Sequence, residues 1–76
     1  MRPMLRAHVY TSTLLENLGP IGEHDMKAAA VAQLIEKLKA QGLPADQPGV
    51  ETRVEKAAFG KYPTRAVAEV PFTVPF

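Results

Sequence analysis

The stretch Glu23-His-Asp-Met-Lys-Ala-Ala-Ala-Val-Ala-Gln-Leu-Ile-Glu-Lys-Leu-Lys-Ala-Gln41 decides the fold. At about 100° per residue, Val31, Leu34, Ile35 and Leu38 fall on one stripe and Gln33, Glu36, Lys37 and Ala40 lie opposite, as in a helix with one buried side. Glu23 and Asp25 would stand in its first turn, where the positive end of the helix dipole favours carboxylates, and Gly42 followed by Pro44 would end it. A helix over about 23–41 is therefore expected, and its stripe needs an apolar surface to lie on.

Upstream, Leu5, Ala7, Val9 and Thr11 alternate with Arg6, His8 and Tyr10, which predicts a half-buried strand over about 4–12. Leu14, Leu15 and Leu18 allow a short helical turn before Asn17, Gly19, Pro20 and Gly22 break regular structure into a connecting loop. Downstream, Pro44, Asp46 and Pro48 mark a second loop over Gly42 to Gly49.

Val50 to Phe59 and Thr64 to Val70 then read as a hairpin around Gly60, Lys61 and Tyr62. With Phe59 facing Pro63, Val50, Thr52, Val54 and Ala58 lie beside Phe72, Val70, Ala68 and Thr64, which makes one face apolar and sets Arg53 across from Glu69. A two-residue loop would instead oppose Lys56 and Arg65, two like charges.

The expected fold class is α+β: β-α-β-β, with a three-stranded mixed sheet, one amphipathic helix on one face and an extended C-terminal arm over 71–76. A crossover through the helix lays the first and second strands in one sheet, parallel if adjacent. One helix covers one face. The other is expected to carry Arg6, His8, Tyr10, Arg53, Glu55, Phe59 and Arg65.

Composition sets the outer bounds. Seventy-six residues allow one domain with one modest core, and the lack of cysteine excludes a disulfide scaffold and a thiolate metal site. A formal charge of +1 gives no global drive toward nucleic acid or anionic membrane. The longest purely apolar run, Ala28 to Ala32, falls far short of the roughly 20 residues that cross a bilayer, and the N-terminus lacks a secretory pattern, so a cytoplasmic protein without membrane contact is expected.

Two local features stand out. The C-terminus repeats Val-Pro-Phe at Val70-Pro71-Phe72 and Val74-Pro75-Phe76, and because proline removes a backbone donor, this segment is expected at an edge or as an arm that covers its own core or a partner. Phe59, Lys61 and Tyr62 at the hairpin tip, with Lys56 and Arg65 behind, interleave aromatic rings with cations. The simplest account of that tip is a solvated end whose rings pair across the strands.

Catalytic chemistry has little support. His8 and His24 match no usual zinc spacing, the run Glu23-His24-Asp25 spreads its side chains around a helix, and no glycine-rich phosphate loop occurs. No catalytic residue, metal or cofactor is assigned.

The expected function is a non-enzymatic protein–protein interaction module, an adaptor, inhibitor or assembly subunit. It would self-associate through a sheet edge and the arm and engage a protein partner through Phe59, Lys61, Tyr62, Arg65, Val70, Phe72, Val74 and Phe76. The alternatives are a small nucleic-acid-binding protein using the basic and aromatic hairpin, and an enzyme with its site between subunits around His8 and Tyr10.

Overall fold

In the computed structural model, residues 4–46, 48–57 and 60–71 are described. They form β1 (Met4–Thr11), α1 (Leu15–Ala40), β2 (Glu51–Lys56) and β3 (Thr64–Pro71), one helix against a three-stranded sheet. The α+β class and the β-α-β-β order are those the sequence predicts.

The helix begins eight residues earlier than expected. Its first turn, with Leu15 and Leu18, is joined to the main body through Gly19, whose φ of 71° and ψ of 170° leave the helical region. Pro20 follows directly. Proline lacks an N–H, but the first helical turn has no use for one, so Pro20 opens the helix body rather than ending the structure before it. Gly22 lies inside α1 as well.

The C-terminus of α1 closes as the sequence predicts. Gly42, at φ 72°, lets Leu43 N–H donate to Leu38 O at 2.9 Å while Gly42 N–H donates to Lys39 O at 3.0 Å. This pair of reversed bonds satisfies carbonyls the helix leaves open, and it turns Leu43 into the core beside Leu38.

The buried seam of α1 is Met26, Ala30, Leu34 and Leu38, spaced by four, with Leu18 and Val31 packed along it. It meets Leu5, Ala7 and Val9 of β1, Ala66, Ala68 and Val70 of β3, and Val54 of β2. Alanine at three of these sheet positions brings the helix close, so Leu34 and Leu38 fill the space between the layers. Thr64, the one buried polar side chain among the described residues, donates its hydroxyl to Thr13 O at 2.7 Å and so ties the start of β3 to the segment after β1.

Strand order corrects the expected mixed sheet. It is β1-β3-β2, so β3 lies between the two parallel strands that the helix connects, and both ladders are antiparallel. The sequence of β3, Thr-Arg-Ala-Val-Ala-Glu-Val-Pro, suits that position: four of its five apolar residues, Ala66, Val67, Ala68 and Val70, are fully buried on the two faces together. Pro71 is consequently the last residue of a central strand and not the start of an arm; at a strand end its missing N–H interrupts nothing further along β3.

The β2–β3 register also differs from expectation by two residues. Thr52 faces Ala68, Val54 faces Ala66 and Lys56 faces Thr64, and Ala57 N–H donates to Pro63 O at 2.9 Å. The connection is longer than three residues, and Gly60, with a φ of 91°, sits inside it. A shift of two preserves the pleat, so the described residues of β2 and β3 remain on the faces the sequence predicts, while Ala58, Phe59 and Phe72 lie outside the described residues.

Candidate functional site

The pleat sends Arg6, His8 and Tyr10 of β1, Arg65, Val67 and Glu69 of β3, and Arg53 and Glu55 of β2 to the face without a helix. Nothing from α1 covers them. Val67 nonetheless has no solvent exposure, with His8 as its ladder partner on one side and Arg53 on the other. Long polar side chains thus roof an apolar centre with their stems while their charged ends remain wet.

Those ends form one connected chain across all three strands. Arg6 Nε donates to Glu69 Oε2 at 2.7 Å, and Arg53 Nη1 donates to Glu69 Oε1 at 2.9 Å. Arg53 Nε lies 3.5 Å from Glu55 Oε1, which accepts from Arg65 Nε at 2.9 Å. The order Arg6, Glu69, Arg53, Glu55, Arg65 alternates in sign, with a formal charge of +1.

Charge and hydrogen bonding shift the titration of Glu69, Glu55 and Arg65 in consistent directions. The Arg6 guanidinium bonded to Glu69 holds its carboxyl below the usual range, with Arg53 adding to the effect. The bond from Arg65, reinforced by Arg53, does the same for Glu55, and that bond raises Arg65 in turn. Burial, followed by the positive charges of Arg65 and Lys37, lowers His8. The imidazole is therefore biased toward its neutral form.

A row of rings flanks the charges. His8 and Tyr10 stack with centroids 6.3 Å apart and an interplanar angle of 26°, and Tyr62 stands 6.4 Å from Tyr10 at 46°. Tyr10 and Tyr62 are each about half exposed. The row runs from the middle of β1 to the segment before β3, so it joins two elements far apart in the chain.

The predicted contact residues fall into three groups. Lys61 and Tyr62 are exposed beside the sheet face, while Arg65 is half-buried within the ion-pair chain. Val70 is fully buried under α1 and contributes to the core. Phe59, Phe72, Val74 and Phe76, and with them most of the doubled Val-Pro-Phe arm, lie outside the described residues.

Two features escape a reading of the sequence. The Arg6–Glu69 pair depends on β1 lying beside β3, and the apolar Val67 between Arg65 and Glu69 is the one local hint that the open face has a buried centre. Lys37 is the other: from the helix side it donates through Nζ to the carbonyl oxygen of Arg6 at 2.8 Å.

Elsewhere, a cleft of about 210 Å³ lies between the first turn of α1 and the end of the hairpin, lined by Leu14, Leu15, Glu16, Lys56, Ala57 and Pro63. Its lining is chiefly apolar. Among the described residues no three of His, Asp and Glu converge to hold a metal ion, and no helix is long and apolar enough to cross a membrane. Compared with family models, with curated proteins and with solved structures, the chain finds no match in any of the three.

Proposed function

We propose that this chain is a non-enzymatic protein–protein interaction module that self-associates and presents its helix-free sheet face to a protein partner. The observation that carries this reading is the alternating Arg6-Glu69-Arg53-Glu55-Arg65 chain fixed over buried Val67 and bordered by Tyr10 and Tyr62. Such a face is ordered before contact. It combines mixed charge for specificity with exposed tyrosines, which give large contact area at low entropic cost.

The same observation weakens the nucleic-acid reading without removing its motive. Phosphate binding draws on cations free to replace counterions, whereas Arg6, Arg53 and Arg65 already hold carboxylates. The ring row beside Lys61 is what keeps that alternative worth testing.

The test is capture of partners by the native protein and by Tyr10→Ser/Tyr62→Ser, each shown to be folded by circular dichroism. A protein retained by the native chain and lost by the variant supports the reading. Equal retention by both removes the face from it, and binding of RNA or DNA that falls steeply with added salt replaces it with the alternative.

A further inference from the structure

The sheet has two edges, and they are treated differently. At the β1 edge Lys37 reaches from α1 to the Arg6 carbonyl, a charged side chain placed where another strand would have to bond. No such side chain meets the backbone of β2 among the described residues. β2 is Glu-Thr-Arg-Val-Glu-Lys, and its first three residues are exposed.

We infer that the β2 edge is the self-association site, and that its occupant is β2 of a second copy, paired antiparallel about a two-fold axis through Val54. This rests on the self-association in the function proposed above and specifies where it occurs. Arg53 then faces Glu55 of the second copy on the open face, twice by symmetry, and Thr52 faces Lys56 on the helix side. The result is a six-stranded antiparallel sheet with both helices on one face.

Charge selects that register over its neighbours. Centring the axis on Arg53 opposes arginine to arginine and Glu51 to Glu55, and centring it on Glu55 opposes two carboxylates. An axis at Thr52 pairs Glu51 with Arg53, but the ladder then runs into Pro48 and into Gly49, whose φ is 85°, so only Glu51–Arg53 of the strand can take part. Slipping by one residue sets the charged face of one copy against the helix side of the other.

The unused atoms of the ion-pair chain fit the same register. Its contacts run through Glu55 Oε1 and through Arg53 Nε and Nη1. Arg53 Nη2 and Glu55 Oε2 take no part in them among the described residues, which leaves each copy one donor and one acceptor for the Glu55 and Arg53 it would face. The two five-residue chains become one of ten across the joined sheet.

The chain has no cysteine, so single introduced thiols read the pairing directly. Residues opposed across an antiparallel ladder have Cα atoms about 4.5–5.5 Å apart, within disulfide range, whereas positions one ladder step off the axis lie beyond about 7 Å from their own copies. The native protein is expected to have a solution mass twice its 8.3 kDa, and Val54→Cys to form a covalent dimer under mild oxidation. Thr52→Cys, Arg53→Cys and Glu55→Cys should each fail to do so alone, while Arg53→Cys mixed with Glu55→Cys cross-links.

A monomer at millimolar concentration overturns the inference, as does a dimer that cross-links best at position 52, 53 or 55 alone or at none of the four. The outcomes separate the two proposals. A monomer that still captures a protein through Tyr10 and Tyr62 refutes the edge pairing and the self-association it rests on while the partner-binding face stands. A dimer that is not linked through Val54 refutes the edge pairing alone, and a Val54-linked dimer that captures nothing refutes the partner-binding face alone.

Discussion

Lys37 on α1 and Arg6 on β1 meet around the rim of the sheet, the ammonium donating to the backbone carbonyl at 2.8 Å. The bond lies at the surface, so Lys37→Ala is expected to lower unfolding stability by no more than about 1 kcal/mol. Its larger effect falls on association, because it leaves the β1 edge open. Light scattering should show species larger than the native form, growing with concentration, and an unchanged size distribution would remove Lys37 as a guard.

Glu69 accepts from Arg6 and Arg53 at once, and its side chain is only 12% exposed. Glu69→Gln removes the charge that links β1 to β2 across β3 and leaves two guanidinium groups facing each other. Urea unfolding should show a clear fall in midpoint. Glu36→Gln is the control, since its pair with Lys39 at 3.9 Å is exposed and should give almost none.

Acid should destabilise the protein in two stages. His8 is lowered from 6.5, so between that value and its folded-state value the unfolded chain binds the extra proton, and stability begins to fall as pH drops below about 6.5. Glu55 and Glu69 are lowered from 4.5; their contribution is intact above that value and is lost as pH falls through their lower folded-state values. In a thermal-melt series against pH, His8→Gln should remove the first stage and keep the second. A native profile flat between pH 7 and 5 contradicts the assignment.

Leu34 is fully buried between α1 and the small residues of the sheet. Leu34→Ala should cost about 2–5 kcal/mol, against a total of about 4–11 kcal/mol for a domain of 76 residues at typical stability per residue. A large unfolded fraction at 37 °C is the expected result by circular dichroism. Ile21→Ala, at a position 79% exposed, should stay within about 0.5 kcal/mol of the native chain.

The layers of this fold are legible in the sequence because they follow from periodicity. Alternation in β1 and the apolar stripe of α1 place Leu5, Ala7, Val9, Leu34 and Leu38 correctly on facing surfaces. The same alternation places Arg6, His8, Tyr10, Arg53, Glu55 and Arg65 on the open face. Strand order is not legible in that way, since a sheet has the same inside and outside whichever strand is central. The signals that β3 is central are Val67 between two charged residues and the charge-rich β2 beside it, and both concern the second face.

Register was obscured by the hairpin. Pairing Arg53 directly with Glu69 and treating Gly60 as the start of a short loop favour a slip of two, whereas the long side chains reach each other diagonally and Gly60 lies within a longer connection. Pro20 misled for a related reason. Proline ends a helix when it falls within one, but directly after Gly19 it starts one.

The central strand is also the last of the four elements along the chain. Met4 must find Pro71 and Thr11 must find Thr64, so the ladder of β1 waits on a strand that follows both the helix and β2. During synthesis, β1, α1 and β2 emerge with no sheet to join, and Leu5, Val9 and the Leu34 seam remain solvated until β3 follows. Loop closure over so many residues slows that step relative to local helix formation. Insertion of β3 completes both ladders and the core together, because both β1 and β2 pair only with it.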